Sequence, residues 1–452
     1  MSPAHTGAPV TTGASFSSSP EPHATEAAAR SRATEGSGPP EPHSPGRPGY
    51  RRMSLALFAA GLATFALLYS TQALLPAVSA DFGVTAGRAS WTVSAATGAL
   101  ALFVLPLSVL SERFGRTRMM TWSMAVAVGV GLLVPFAPNL EWLVVLRAVQ
   151  GAAIAGVPAS AMAYLAEEVR PKALVGAIGL FVAGNSIGGM SGRLVTGWAA
   201  QLGGWRVGLA AVGVLALVCA VAFLVLLPRA RFFRPASMDP RAVGRTVRGH
   251  LRDPLLLRLY GIGALFMTVF GAVYTVVGYR LADEFSLGQG VIGSVFLVYL
   301  VGTASSAAAG QLVARTGRRG ALYLAVTTTA LGLLLSLSGA LAAILAGLVL
   351  ITAGFFAGHA VASAAVSRTA TTGRAQASAL YQSAYYLGSS AGGTVGALAY
   401  HWSGWPATVG VALLAVLGVV SITLYGSHAA RAQRRPAVVA AASVRGRQAV
   451  AR

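Results

Sequence analysis

The stretch Ser108-Val109-Leu110-Ser111-Glu112-Arg113-Phe114-Gly115-Arg116 returns 202 residues later as Gly310-Gln311-Leu312-Val313-Ala314-Arg315-Thr316-Gly317-Arg318-Arg319. Each copy lies between two long apolar runs. Two further pairs keep the same order. Gly184-x-x-x-Gly188-Gly189-x-x-Gly192 recurs as Gly388-x-x-x-Gly392-Gly393-x-x-Gly396 at an offset of 204, and Gly204-Trp205 recurs as Gly404-Trp405 at an offset of 200. Three matched features in one order make the chain a tandem of two like halves.

The apolar runs around these features are each close to the ~20 residues that cross a bilayer as a helix. We place twelve, at about 54–78, 89–111, 119–137, 141–165, 173–201, 206–228, 256–281, 290–314, 320–338, 341–367, 376–401 and 404–426. Strand-length alternation is missing, so the expected class is an all-α polytopic membrane protein rather than a barrel. Composition agrees. A soluble chain of this length would hold about three domains of ~150 residues, but charged residues are only 10% of the chain and hydrophobic ones 55%. So few charges would not cover the surface of a soluble fold this large. The weakest boundary is between the ninth and tenth runs, where Ser338-Gly339-Ala340 is the turn signal.

A net charge of +21 first suggests a nucleic-acid partner. The basic residues instead punctuate the apolar runs. Alternate loops and both ends hold 29 of them, while the opposite loops hold three: Arg88, Arg206 and Arg280. By the positive-inside rule this places both termini in the cytoplasm of a cell-membrane protein, with no nucleic-acid role. Residues 1–50, rich in Pro, Ser, Ala and Gly, are expected to be a disordered cytoplasmic tail. The remaining organisation is a six-helix half at 51–228, a cytoplasmic connector at 229–255, a second half at 256–426 and a tail at 427–452. The first apolar run follows Arg51-Arg52 and is long enough to stay in the membrane instead of being cleaved as a signal peptide. A single cysteine, Cys219, rules out an intrachain disulfide.

The loop after the second run resembles the signature G-x-L-x-D-R-x-G-R-[KR] of the major facilitator superfamily. Leu110, Arg113, Gly115 and Arg116 match it, while Ser108, Glu112 and Thr117 depart from it. Leu143-x-x-x-Arg147-x-x-Gln150-Gly151 is similar to a second family motif, and the glycine stretch of the fifth run to the antiporter motif of drug-exporting members. There Gly188-Gly189 stands for the usual Gly-Pro, and Arg193 follows Gly192. The resemblance covers residues 54–426. It implies two pseudo-symmetric six-helix halves, a solute site between them, and transport by alternating access in the drug- and sugar-efflux branch. It also implies that the loop Glu112, Arg113, Gly115 and Arg116 acts as a latch between the halves.

Other expectations come from the residues themselves. Gly184, Gly188 and Gly192, and likewise Gly388, Gly392 and Gly396, fall on one helix face and allow close backbone approach. Because both halves repeat the stripe, such surfaces suit halves that rock against each other, with a static packing seam as the alternative. Arg147 and Arg193 lie within runs, where a charge costs about 2.5–3.5 kcal/mol on insertion scales and needs a partner or a watery cavity. At ~1.5 Å per residue they reach depths similar to Tyr69 and Gln72 on the first run, so the four are candidates for one cavity. Asn185, Tyr274, Tyr299, Tyr381, Gln382 and Tyr385 are further candidates for its wall. No carboxylate lies mid-run, which favours an anionic, zwitterionic or hydroxyl-rich solute over a lipophilic cation. His359 is the candidate for proton coupling, its unperturbed pKa lying near ~6.5. We therefore expect a monomeric secondary exporter of small organic solutes, without cofactor or metal. Uptake of an organic anion is the competing transport reading. An integral membrane enzyme has only the adjacent acids Glu167-Glu168 in its favour, and no G-x-x-x-x-G-K-[ST] loop supports ATP-driven transport.

Overall fold

The structure, a computed structural model, describes residues 42–233, 235 and 239–450. Of the expected disordered tail at 1–50, residues 1–41 lie outside those described, as do the last two residues of the chain, while residues 48–50 already belong to the first helix, Pro48–Leu68. Among the described residues, nine helices are long and apolar enough to cross a membrane. Six of them form one span each. Pro171–Leu226, Gln289–Leu335 and Arg374–Tyr425 are long enough for two spans and are broken at Gly203 and Gly204, at Gly317, and at Ser403 and Gly404 respectively. The chain thus crosses twelve times, in two pseudo-symmetric sets of six.

The breaks carry the sequence repeat into backbone geometry. Gly115 (φ 101°) turns span two into span three, and its counterpart Gly317 (φ 71°) turns span eight into span nine. Gly204 (φ 82°) and Gly404 (φ 66°) do the same before spans six and twelve. A Cβ is disfavoured at such φ, which is why these turns repeat as glycine. The tryptophans that follow also match: Trp205 Nε1 donates to Asp81 Oδ2 at 3.0 Å, and Trp405 Nε1 to Ser336 Oγ at 3.2 Å.

Helix starts are set by local chemistry. Thr85, Asn139 and Asp253 cap spans two, four and seven by accepting a backbone N–H from Arg88, Trp142 and Leu255 respectively. Span one differs from a simple rod. It runs from Pro48 to Leu68, loosens through a 3-10 turn at Gln72–Leu74, and resumes at Leu75–Phe82. Pro76 lacks the N–H that would bond Gln72, so the helix gives way there. Span four breaks likewise at Ala155, below Pro158. The turn at 338–340 separates spans nine and ten, which end at Leu335 and begin at Leu341.

The glycine stripes lie inside each half, not between the halves. A Cβ on Gly184 or Gly188 would sit 2.4 Å from the carbonyl oxygen of Phe58 or Leu62, and one on Gly192 2.6 Å from Ala66 Cα. Gly388, Gly392 and Gly396 meet Ala264, Thr268 and Ala272 in the same way, at 2.1, 2.3 and 2.6 Å. Span five is therefore sealed to span one, and span eleven to span seven. The stripes bind each half into a unit. The halves touch elsewhere.

Candidate functional site between the halves

The two embedded arginines have different surroundings. Arg147 is fully buried within the first half. Its guanidinium donates to Thr92 O at 3.0 Å, Leu67 O at 2.7 Å and Ser70 Oγ at 3.4 Å, and also to Leu68 O and Gln150 Oε1. Gln150 Nε2 in turn donates to Ala127 O at 3.1 Å. This network ties spans one to four together. The broken end of span one supplies two of the carbonyls, which a continuous helix would have paired internally.

Arg193 lies where the halves meet and is 1% exposed. Its Nε and Nη2 both donate to Gln72 Oε1, at 2.8 and 2.5 Å, and Nη1 donates to Gly189 O at 2.6 Å. Three rings cover it: Tyr69 at 4.3 Å, Phe296 at 4.6 Å and Tyr299 at 4.9 Å from the guanidinium carbon. Such cation–π contacts are worth about 2 kcal/mol when desolvated. Phe296 and Tyr299 belong to the second half. Gln72 Nε2 also crosses, reaching Thr275 Oγ1 at 3.5 Å. Tyr69, Gln72, Arg193 and Tyr299 are thus brought together, and Arg147 is not among them.

The remaining candidates divide between two places. Tyr274 touches the Tyr299 ring at 5.6 Å but turns its hydroxyl to Thr352 Oγ1 at 2.5 Å, within the second half. Nearer the arginine-rich end, His359 Nδ1 lies 2.9 Å from Tyr381 Oη, and the Tyr385 ring is centred 4.6 Å from the imidazole. Gln382 is half-buried beside Tyr381 on the same helix. Asn185 packs on Gly61 of span one, and its buried Oδ1 has no hydrogen-bond partner.

Several contacts that the sequence does not signal join the halves at the arginine-poor end. Ser79 Oγ and Tyr279 Oη are 2.5 Å apart, and Tyr279 also donates to Leu75 O at 3.0 Å. Ser94 and Ser390 exchange bonds from each hydroxyl to the other's carbonyl, at 3.0 and 2.8 Å, with Thr394 donating to Ser94 Oγ at 2.8 Å. Trp198 donates to Ser294, and Gln201 accepts from the Gly290 amide. Single hydroxyls in apolar runs give little warning of such pairing. Arg280, counted above with the loops, is in fact buried in span seven. It donates to Ser338 O at 2.8 Å, to Glu284 Oε2 at 2.9 Å and to Ser336 O. Its reach from a helix end let it turn inward.

At the arginine-rich end the loop residues pair within the first half. Arg116 Nε donates to Glu167 Oε1 at 3.1 Å, its Nη1 donates to Ser111 Oγ at 2.6 Å, and its Nη2 lies 4.0 Å from Glu112. Arg113 stacks on Phe114 at 5.5 Å. Glu167 serves this ion pair.

A family model described as "Major Facilitator Superfamily" matches residues 53–358. The chain belongs to the major facilitator superfamily. The inner membrane transport protein YnfM of Escherichia coli is 40% identical over 384 residues, 85% of this chain and 91% of that one. An MFS-type transporter of Bacillus subtilis, YybF, is 38% identical over 394 residues, 86% and 96% of the two chains. Among solved structures, an inward-facing, unoccupied bacterial homologue of the human lysosomal transporter Spinster shares the fold, with TM-score 0.67 and 13% identity over 84% of this chain and 97% of that one. The human organic anion transporter MFSD10 does so with TM-score 0.64 and 16% identity, covering 83% and 100%. This superfamily member is accordingly a multi-pass membrane transporter.

Proposed function

We propose that this chain exports small organic solutes from the cytoplasm by alternating access, as a monomer in the cell membrane with both termini inside. The observation that carries this reading is where the halves touch. Hydrogen bonds between them crowd the arginine-poor end, from Ser79 and Tyr279 to Gln72 and Thr275. With the arginine-rich end inside, that arrangement would be a closed outer gate, and the solute would approach it past His359, Tyr381, Gln382 and Tyr385, with Asn185 on the first half's side. The glycine stretch of span five, whose sequence resembles the antiporter motif and which packs on span one here, supports the exporter branch. Residues 1–50, 229–255 and 427–452 then lie in the cytoplasm.

Protons are the proposed coupling ion and His359 the group that carries them, since an imidazole held by a tyrosine hydroxyl can exchange a proton with a solute space. Reconstituted protein with an imposed pH gradient tests this. Labelled drugs, sugars and carboxylates should move out of the cytoplasm-facing compartment against an inward proton gradient, with proton flux lost in His359→Ala. Solute-driven proton flux that persists in His359→Ala removes the histidine. Accumulation in the cytoplasm-facing direction overturns export in favour of organic-anion uptake.

A further inference from the structure

Arg193 occupies an unusual electrostatic position. Among the described residues no carboxylate pairs with it; its Nε and Nη2 both point at the single oxygen of a neutral amide, Gln72. That fork is the geometry with which an arginine takes the two oxygens of a carboxylate, a stronger, charge-assisted arrangement. The same Gln72 side chain reaches the other half through Thr275. Beside it, spans five and eight are in backbone contact: a Cβ on Gly293 would lie 2.7 Å from Arg193 O, and one on Gly197 3.0 Å from Gly293 Cα. Gate closure and the occupancy of the arginine therefore run through one amide.

We propose that Gln72 holds the seat of an anionic group on the solute. A solute carboxylate rising from the cytoplasmic side takes the Arg193 fork, and Gln72 leaves it. Gln72 then loses Thr275, and spans five and eight separate to release the solute outward. Empty protein stays shut because the amide keeps the lock made, so the gate answers to anionic cargo. This rests on the alternating-access reading above and adds the class of solute: a small organic acid whose carboxylate meets Arg193.

The test uses full-length protein in intact cells, with Cys219→Ser and Ser79→Cys, so that a membrane-impermeant maleimide reads the Ser79–Tyr279 seal from outside. Carboxylates from acetate to benzoate and citrate are compared with their amides. At least one carboxylate should speed labelling about tenfold while its amide does not, because only the charged form competes for the fork. Arg193→Gln should abolish that effect. Without added solute, Gln72→Leu should speed labelling and Gln72→Glu should slow it, since a fixed carboxylate makes the lock permanent. A role in packing alone would move both variants the same way.

The inference is overturned if no carboxylate outperforms its amide, if the effect survives in Arg193→Gln, or if Gln72→Leu and Gln72→Glu behave alike. A Ser79→Cys reached only from the cytoplasmic side would instead overturn the orientation in the proposed function. The two Gln72 variants, labelled from that side, would still decide the lock.

Discussion

Arg147 keeps its charge in the membrane because span one breaks beside it. The break leaves Leu68 O to the guanidinium, which also takes Thr92 O, Gln150 and Leu67 O, the last shared with the amide and hydroxyl of Ser70. A lysine ammonium has three donors on one atom and cannot reach acceptors spread over three helices. Arg147→Lys should therefore leave at least one buried carbonyl unpaired, at about 1–3 kcal/mol. We expect a lower unfolding temperature for the detergent-purified protein. Unchanged thermal stability in Arg147→Lys would show that the network is dispensable. Hydropathy and depth treat Arg147 and Arg193 alike. What separates them is the neighbour each helix face meets: a broken helix end for Arg147, the opposite half for Arg193. Neither neighbour can be read from the runs that carry the arginines.

The glycine stripes make the same point for whole helices. Their spacing marks one face of span five as the close-packing face, but spacing does not say which helix lies against it. That partner is span one, in the same half. Because a Cβ at position 188 would lie 2.4 Å from Leu62 O, Gly188→Ala should push spans one and five apart. Overpacking of this kind costs about 1–3 kcal/mol. Gly179→Ala is the control, having nothing within 4 Å of its Cβ position. We expect Gly188→Ala to lower both the unfolding temperature and the transport rate, with Gly179→Ala neutral or slightly stabilising. Equal behaviour of the two variants would mean that the stripe does not hold the half together. The spans themselves were legible because crossing a bilayer demands a length of apolar residues. The repeat was legible because φ above zero at 115, 204, 317 and 404 demands glycine. The hydroxyl pairs that join the two halves obey no such demand, since Ser79, Ser94 and Ser390 look like ordinary small residues in apolar helices.

At the scale of the molecule, three segments converge on the arginine-rich end of span four. The segment before span one joins it through His43, whose amide donates to Glu168 O at 2.7 Å and whose carbonyl accepts from the Arg170 amide at 3.1 Å. The segment after span six caps the buried Glu168 carboxylate with the amides of Arg231 and Phe232, at 2.6 and 2.9 Å. The loop after span two ties in through Arg116 and Glu167. The His43 ring packs on Gly49, and burial holds its pKa below the usual histidine value, opposed in part by Glu168 and aided by Arg231. The attached imidazole thus binds protons less readily than the detached one. Attachment is fully favoured above the free value near ~6.5 and loses ground as pH falls from there towards the attached value, because the detached form protonates first. Acidifying the purified protein from neutrality should therefore loosen the strap at 43–47 before the spans melt. Hydrogen exchange at the Arg170 amide, corrected for the intrinsic chemical rate, reports this as a protection factor that falls below about pH 6.5. His43→Gln keeps the backbone bridge and removes the titration, so its exchange should not respond to pH beyond the intrinsic chemical rate. If His43→Gln shows the same acid-induced loosening as the natural chain, the imidazole is not the group that senses pH, and the strap is held by its backbone bonds to Glu168 and Arg170 alone.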